Sequence, residues 1–164
     1  ETLLMGALYS TAVSGWTPVA HADGASSLAD NSYHGLRTET SNQIRITEVF
    51  IGGEATSSTV NRMSLRRLST NGSTPTNRTP APLNPWSAAS AANHYVAATT
   101  GPTIASTVHL LDLALNVFGG IIRWVAHPGE EIYALNSTAS NGEVALDSIS
   151  GTGVVSTNLV FEEM

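Results

Sequence analysis

FGGIIRWVAHPGEEIYALN, residues 118–136, alternates in period two on either side of a break. In the first flank Ile122, Trp124 and Ala126 fall on one face and Ile121, Arg123 and Val125 on the other, as pleat geometry requires. His127, Pro128 and Gly129 interrupt the pattern, because proline fixes its own φ and lacks an N–H while glycine accepts the positive φ of a tight reversal. Alternation resumes over 131–135, so the stretch reads as a β-hairpin, with Gly119-Gly120 punctuating its start. β-Branched and aromatic residues on both flanks favour strand over helix.

Working outward, the flanking segments carry the same period. Residues 142–149 and 154–161 read as two closing strands around Ser150-Gly151-Thr152-Gly153, with Val155, Thr157, Leu159 and Phe161 on one face of the last. Residues 103–117 fit a helical stripe through Ile104, Val108, Leu111 and Leu115, but Leu111, Leu113, Leu115 and Val117 also alternate. Strand is favoured for that second half. Upstream, 43–51 opposes Ile44 and Ile46 to Arg45 and Thr47 and stops at Gly52-Gly53. Residues 60–68 put Met63 and Leu65 on one face before Arg66-Arg67 break the alternation, which suggests a bulge or the strand's exit. Residues 33–38 form a shorter candidate.

Residues 70–85 are rich in proline and hydroxyls and read as a long surface loop. Asn84-Pro85 then offers an N-cap and a first-turn proline for a short helix over WSAASAAN. Residues 1–32 show apolar patches without a sustained period and read as an extended N-terminal arm, leaving 33–164 as the folded domain. About seven to nine short strands with glycine-rich turns mean a sandwich, a jelly roll or a barrel. The expected core is Ile44, Ile46, Met63, Leu65, Ile122, Trp124, Leu159 and Phe161.

Composition excludes much chemistry. The 164-residue chain has no cysteine and no lysine, so thiolate metal sites, cysteine nucleophiles, Schiff bases and phosphate-loop lysines are absent. A net charge of −6 gives no electrostatic case for nucleic acid. Arg62, Arg66 and Arg67 are the one basic cluster, read as a solvated edge or an inter-subunit salt bridge. No apolar run approaches the roughly 18 residues of a membrane span, and ETLLMGALYS lacks a signal peptide's basic start. Neither membrane nor nucleic acid is expected as a partner.

The five histidines are scattered without metal-ligand spacing; His21-x-Asp23 comes nearest and reads as a local loop contact. Glu130-Glu131 and Glu162-Glu163 are adjacent pairs whose members point to opposite faces of a strand, and solvation is the expectation. No catalytic residue, metal ligand or cofactor is therefore assigned. Charged residues make up only 12% of the chain, against about 25 to 35% for a solitary surface. Such a surface suits a protein covered by copies of itself or by a larger assembly. The candidate assembly contacts are Leu3, Leu4, Leu8 and Trp16 in the arm and Trp86 in the irregular segment, as apolar anchors.

ALYSTAVSGWTPVAHADG, QIRITEVFIGGEA, RMSLRRLS, the proline-rich loop, GGIIRWVAHPGEE and the terminal LVFEE together resemble the jelly-roll cement or decoration proteins of tailed bacteriophage heads. The resemblance implies an all-β, single jelly-roll-like β-sandwich with an N-terminal arm. It also implies a homotrimer bound to the major capsid protein on the outer surface of the virion, locking neighbouring capsomers without catalysis. The alternative is a receptor- or glycan-binding β-sandwich of a phage tail or fibre. An enzyme, most plausibly a glycan hydrolase, ranks third.

Overall fold

The computed structural model describes residues 6–28, 33–38, 42–70, 72–105, 108–135 and 142–164, and among them the chain is all β. The strands are β1 (Ala7–Trp16), β2 (Tyr33–Thr38), β3 (Ile44–Gly53), β4 (Val60–Leu68), β5 (Thr76–Arg78), β6 (Ala81–Pro82), β7 (Ala92–Val96), β8 (Leu111–Asn116), β9 (Ile121–Val125), β10 (Ile132–Ala134), β11 (Glu143–Ser150) and β12 (Val155–Glu163). They form two six-stranded sheets, in which every pair of named strands is antiparallel. The first sheet runs β10-β3-β12-β1-β6, with β9 also on β3, and the second runs β5-β7-β2-β11-β4-β8. With β5–β7 set aside and β9–β10 taken as one edge, the chain crosses between the sheets at every step except β4 to β8.

The sheets pack face to face through one apolar cluster. Tyr9, Ile46, Val49, Leu159 and Phe161 of the first sheet meet Leu36, Met63, Leu65, Val144 and Leu146 of the second. The alternating readings of β3, β4 and β12 are reproduced in this core. Ile44, Ile46, Met63, Leu65, Leu159 and Phe161 are each no more than 1% exposed. Ile122 and Trp124 lie on the expected inward face but are only half-buried, because β9 is an edge strand with β3 on one side alone.

The second sheet is buried on both faces. Its outer face carries Tyr33, Leu68, Tyr95 and Ala145, covered by Leu28, Ala98 and Ile104 from loops 17–28 and 97–105. Those loops are laced down by Leu28 N donating to Pro102 O, Ile104 N to Ser26 O and His21 N to Ser148 O, each at 2.9 Å. This double cover explains why β2 and β11 are buried at nearly every position.

The opening stretch corrects its own reading. β9 and β10 do not pair with each other: both run antiparallel to β3 along the same edge, Val125 opposite Glu48 and Ile132 opposite Ile46. The Pro128-Gly129 turn is real, with Glu130 N donating to His127 O at 2.8 Å and Gly129 at φ 91°. It throws a short loop outward and returns the chain to the same line. The break coincides with an irregularity in β3, where Thr47 is the extra residue of a bulge facing Val160 and Phe161 and its carbonyl accepts from Ala126 N. Alternation in sequence records two strand segments; it does not record which neighbour they share.

Residues 7–16 correct the arm. β1 lies between β12 and β6, with Tyr9, Thr11, Val13 and Trp16 buried. Its inward set escapes a simple period because a bulge at Ser14-Gly15 shifts the register between Val13 and Trp16, with Gly15 at φ 62°. The segment 84–91 forms turns, not the short helix expected there. Asn84 Oδ1 does accept from Trp86 N at 3.1 Å, but no helical turn follows.

Candidate interaction surface

Leu8 lies on the outward face of β1, and the hydrogen bond from Leu83 N to Leu8 O, at 2.9 Å, brings the segment after β6 alongside it. Ser87 N donates to Asn84 O at 2.9 Å and Tyr9 Oη donates to Ala88 O at 3.0 Å, so the turn bearing Trp86 is pinned to β1 at both ends. Three large apolar side chains are thereby presented to solvent on one edge: Leu8 at 43%, Leu83 at 55% and Trp86 at 93% exposed. Between Leu8 and Leu83 runs an open groove of about 440 Å³, lined by Gly6, Ala7, Leu8, Leu83, Asn84 and Ser87.

Glu162 and Glu163, one of the two glutamate pairs read as solvated, brace this edge. Glu162 is buried; its Oε1 accepts from Gly6 N at 2.6 Å and its Oε2 from Arg45. Glu163 accepts from Ser90 Oγ and Ala91 N at 3.0 Å, holding the segment after the Trp86 turn. Adjacent residues of a strand do point to opposite faces, and here each face finds its own donor. A Cβ at Gly6 would stand 2.5 Å from Glu163 O, so β1 can only enter here through glycine.

Of the five anticipated contacts, Leu8 and Trp86 meet at this edge. Trp16 is buried, stacked on His34 at 4.3 Å between ring centroids, and is part of the core instead of a surface anchor. Leu3 and Leu4 lie outside the described residues. Sequence reasoning missed Leu83, whose signal was its place between the prolines at 82 and 85. It also missed a second apolar row, Ile121 and Val125 at 67% and 56% exposed, on the outer face of β9. That row was visible as the other face of the opening stretch.

The basic cluster is likewise rearranged. Arg62 faces solvent and pairs with Asp112, with Nε donating to Oδ1 at 3.0 Å. Arg67 donates to Tyr133 O at 2.8 Å. Arg66 is fully buried: Nη2 donates to Asp147 Oδ2 at 2.6 Å, Nε to Ser64 Oγ at 3.1 Å and Nη1 to Asp23 O at 3.0 Å. β4 pairs β11 in continuous register from Met63 to Leu68, so no bulge accompanies Arg66 and Arg67. All three are committed within the chain. Among the described residues no group of three or more His, Asp or Glu side chains is arranged to hold a metal.

No protein-family model and no curated protein matches the chain.

Proposed function

We propose that this chain is a non-enzymatic structural protein of a phage virion, binding the outer surface of the capsid as a homotrimer and cementing neighbouring capsomers. The observation that carries the reading is the Leu8–Leu83–Trp86 edge. Leaving a Trp and two Leu in water forgoes roughly 1.5 to 3 kcal/mol of burial for each, yet the surrounding hydrogen bonds hold them there. A rigid aromatic anchor on a charge-poor surface is the composition of an interface centre. The strand order supports a jelly-roll reading: β1, β12, β3 and the β9–β10 edge face β2, β11, β4 and β8, the arrangement of two nested Greek keys.

The same edge favours a second reading, a glycan-binding sandwich, because Trp86, exposed and with its backbone N–H bound to Asn84 Oδ1, offers an aromatic plane next to polar groups. One experiment separates them. The purified protein is sedimented with empty capsids and, in parallel, applied to a glycan array. Co-sedimentation at saturating stoichiometry without glycan binding supports the cement reading; glycan binding without capsid binding replaces it.

A further inference from the structure

Away from the Leu8–Trp86 edge, two histidines join the sheets from within. His34 of β2 and His94 of β7 project into the sandwich and are 2% and 0% exposed. Each meets a threonine hydroxyl of the opposite sheet: His34 Nδ1 with Thr157 Oγ1 of β12 at 2.7 Å, and His94 Nδ1 with Thr11 Oγ1 of β1 at 2.5 Å. The two rings pack edge to face with centroids 5.3 Å apart, and Trp16 closes over His34. Both Nε2 atoms are buried with no hydrogen-bond partner among the described residues.

Nothing around the pair welcomes positive charge. β1 and β12 contribute the neutral Thr11, Trp16 and Thr157, and β5 contributes Arg78, which repels a proton on either ring. Glu143 and Asp147 of β11 alternate onto the other face of the second sheet, while Arg45 and Glu48 of β3 point away from the core. Each histidine also opposes a charge on the other. We propose that His34 and His94 form an acid-sensitive clamp: neutral, they tie β2 and β7 to β1 and β12; protonated, they force the two sheets apart at this point.

Burial, first, and then the neighbouring positive charges hold both imidazoles below the usual 6.5, His94 at about 4. The unfolded chain therefore takes up these protons first as pH falls. The clamp's contribution is complete above 6.5 and is lost as pH drops through that value toward the folded ones. Within the window each histidine weakens the folding equilibrium by up to about tenfold per pH unit, and the pair by up to about a hundredfold.

The test compares denaturant unfolding of the full chain with that of His34→Gln/His94→Gln, whose amides can still hydrogen-bond the threonines but do not titrate. Between about pH 6.5 and 4.5, wild type should lose up to about a hundredfold more of its folding constant per pH unit than the variant. Parallel slopes would overturn the clamp. Should the double variant not fold, NMR of the wild-type ring Cε1–H signals decides. Both rings should stay neutral at about pH 5.5 while the sheets remain intact, and a ring that titrates near 6.5 in the folded protein would overturn it.

Discussion

Arg66 and Asp147 sit at 0% exposure on the outer face of the second sheet, a place the sequence marks only by two adjacent arginines. The guanidinium is held on three sides, so its burial is compensated, but removing one partner strands the other in an apolar setting. Asp147→Ala should therefore cost about 3 to 5 kcal/mol, whereas Arg66→Met combined with Asp147→Leu should cost far less, as read by urea unfolding. Glu143 lies on the same face with neither carboxyl oxygen hydrogen-bonded among the described residues. Burial pushes its carboxyl up to about 7 against the attraction of Arg37. A raised acid contributes stability below its unfolded value of 4.5 that is lost as pH rises through 7. Relative to wild type, Glu143→Gln should gain about 3 kcal/mol between pH 4.5 and about pH 7.5. An unchanged difference across that range would place the carboxyl in contact with water. The histidine clamp acts in the opposite direction over part of this window, so the comparison must be variant against wild type at each pH.

At the scale of elements, what was legible depended on whether a strand kept one phase. β4 and β12 carry uninterrupted inward sets, such as Val155, Thr157, Leu159 and Phe161, and β3 keeps its phase over Ile44 and Ile46 ahead of the Thr47 bulge, so these faces were readable from alternation alone. β1 was not readable, because its inward set includes a threonine that a buried histidine requires, because Leu8 points outward, and because the Ser14-Gly15 bulge moves Trp16 back inside. The hairpin failed for a different reason: pairing is a long-range property, and β9 and β10 share β3 instead of each other. Gly53 shows the same limit. A Cβ there would lie 2.3 Å from Val117 O, a close approach between β3 and the β8–β9 corner that no local pattern announces. Because β1 is a paired interior strand, a chain beginning at Tyr33 should fail to fold, giving no cooperative thermal transition by circular dichroism. A truncated protein that melts like the full chain would restore the arm. Within the retained chain, Trp124→Ala should cost less than the roughly 3 to 5 kcal/mol of a fully buried aromatic, since β9 leaves that ring half in water.

For the whole molecule, the two sheets are treated unequally. The second is wrapped by its own loops, which consume its apolar outer face and take one hydrogen bond from the buried Arg66 at Asp23 O. The first keeps its outer face open, with Leu8 near one edge and Ile121 and Val125 along the other. A chain carrying only 12% charged residues leaves several large apolar side chains uncovered on this side, with Val60 and Val108 also exposed beside the second sheet, and under the cement reading the open first sheet meets the capsid or sister copies. The two edges make separable predictions. Leu83→Ser with Trp86→Ala should move unfolding stability by no more than about 0.5 kcal/mol, as exposed substitutions do. The same pair should weaken capsid binding or self-association by about 2 kcal/mol or more, close to thirtyfold, as loss of an aromatic anchor does. Light scattering of the wild type should report a multiple of the 17.1 kDa chain, and the variant should shift toward the monomer if the edge joins copies. Ile121→Ser with Val125→Ser is the counter-test. If that pair abolishes binding while the Leu83–Trp86 pair leaves it intact, the contact lies along β9, and the groove beside Leu8 is not the interface.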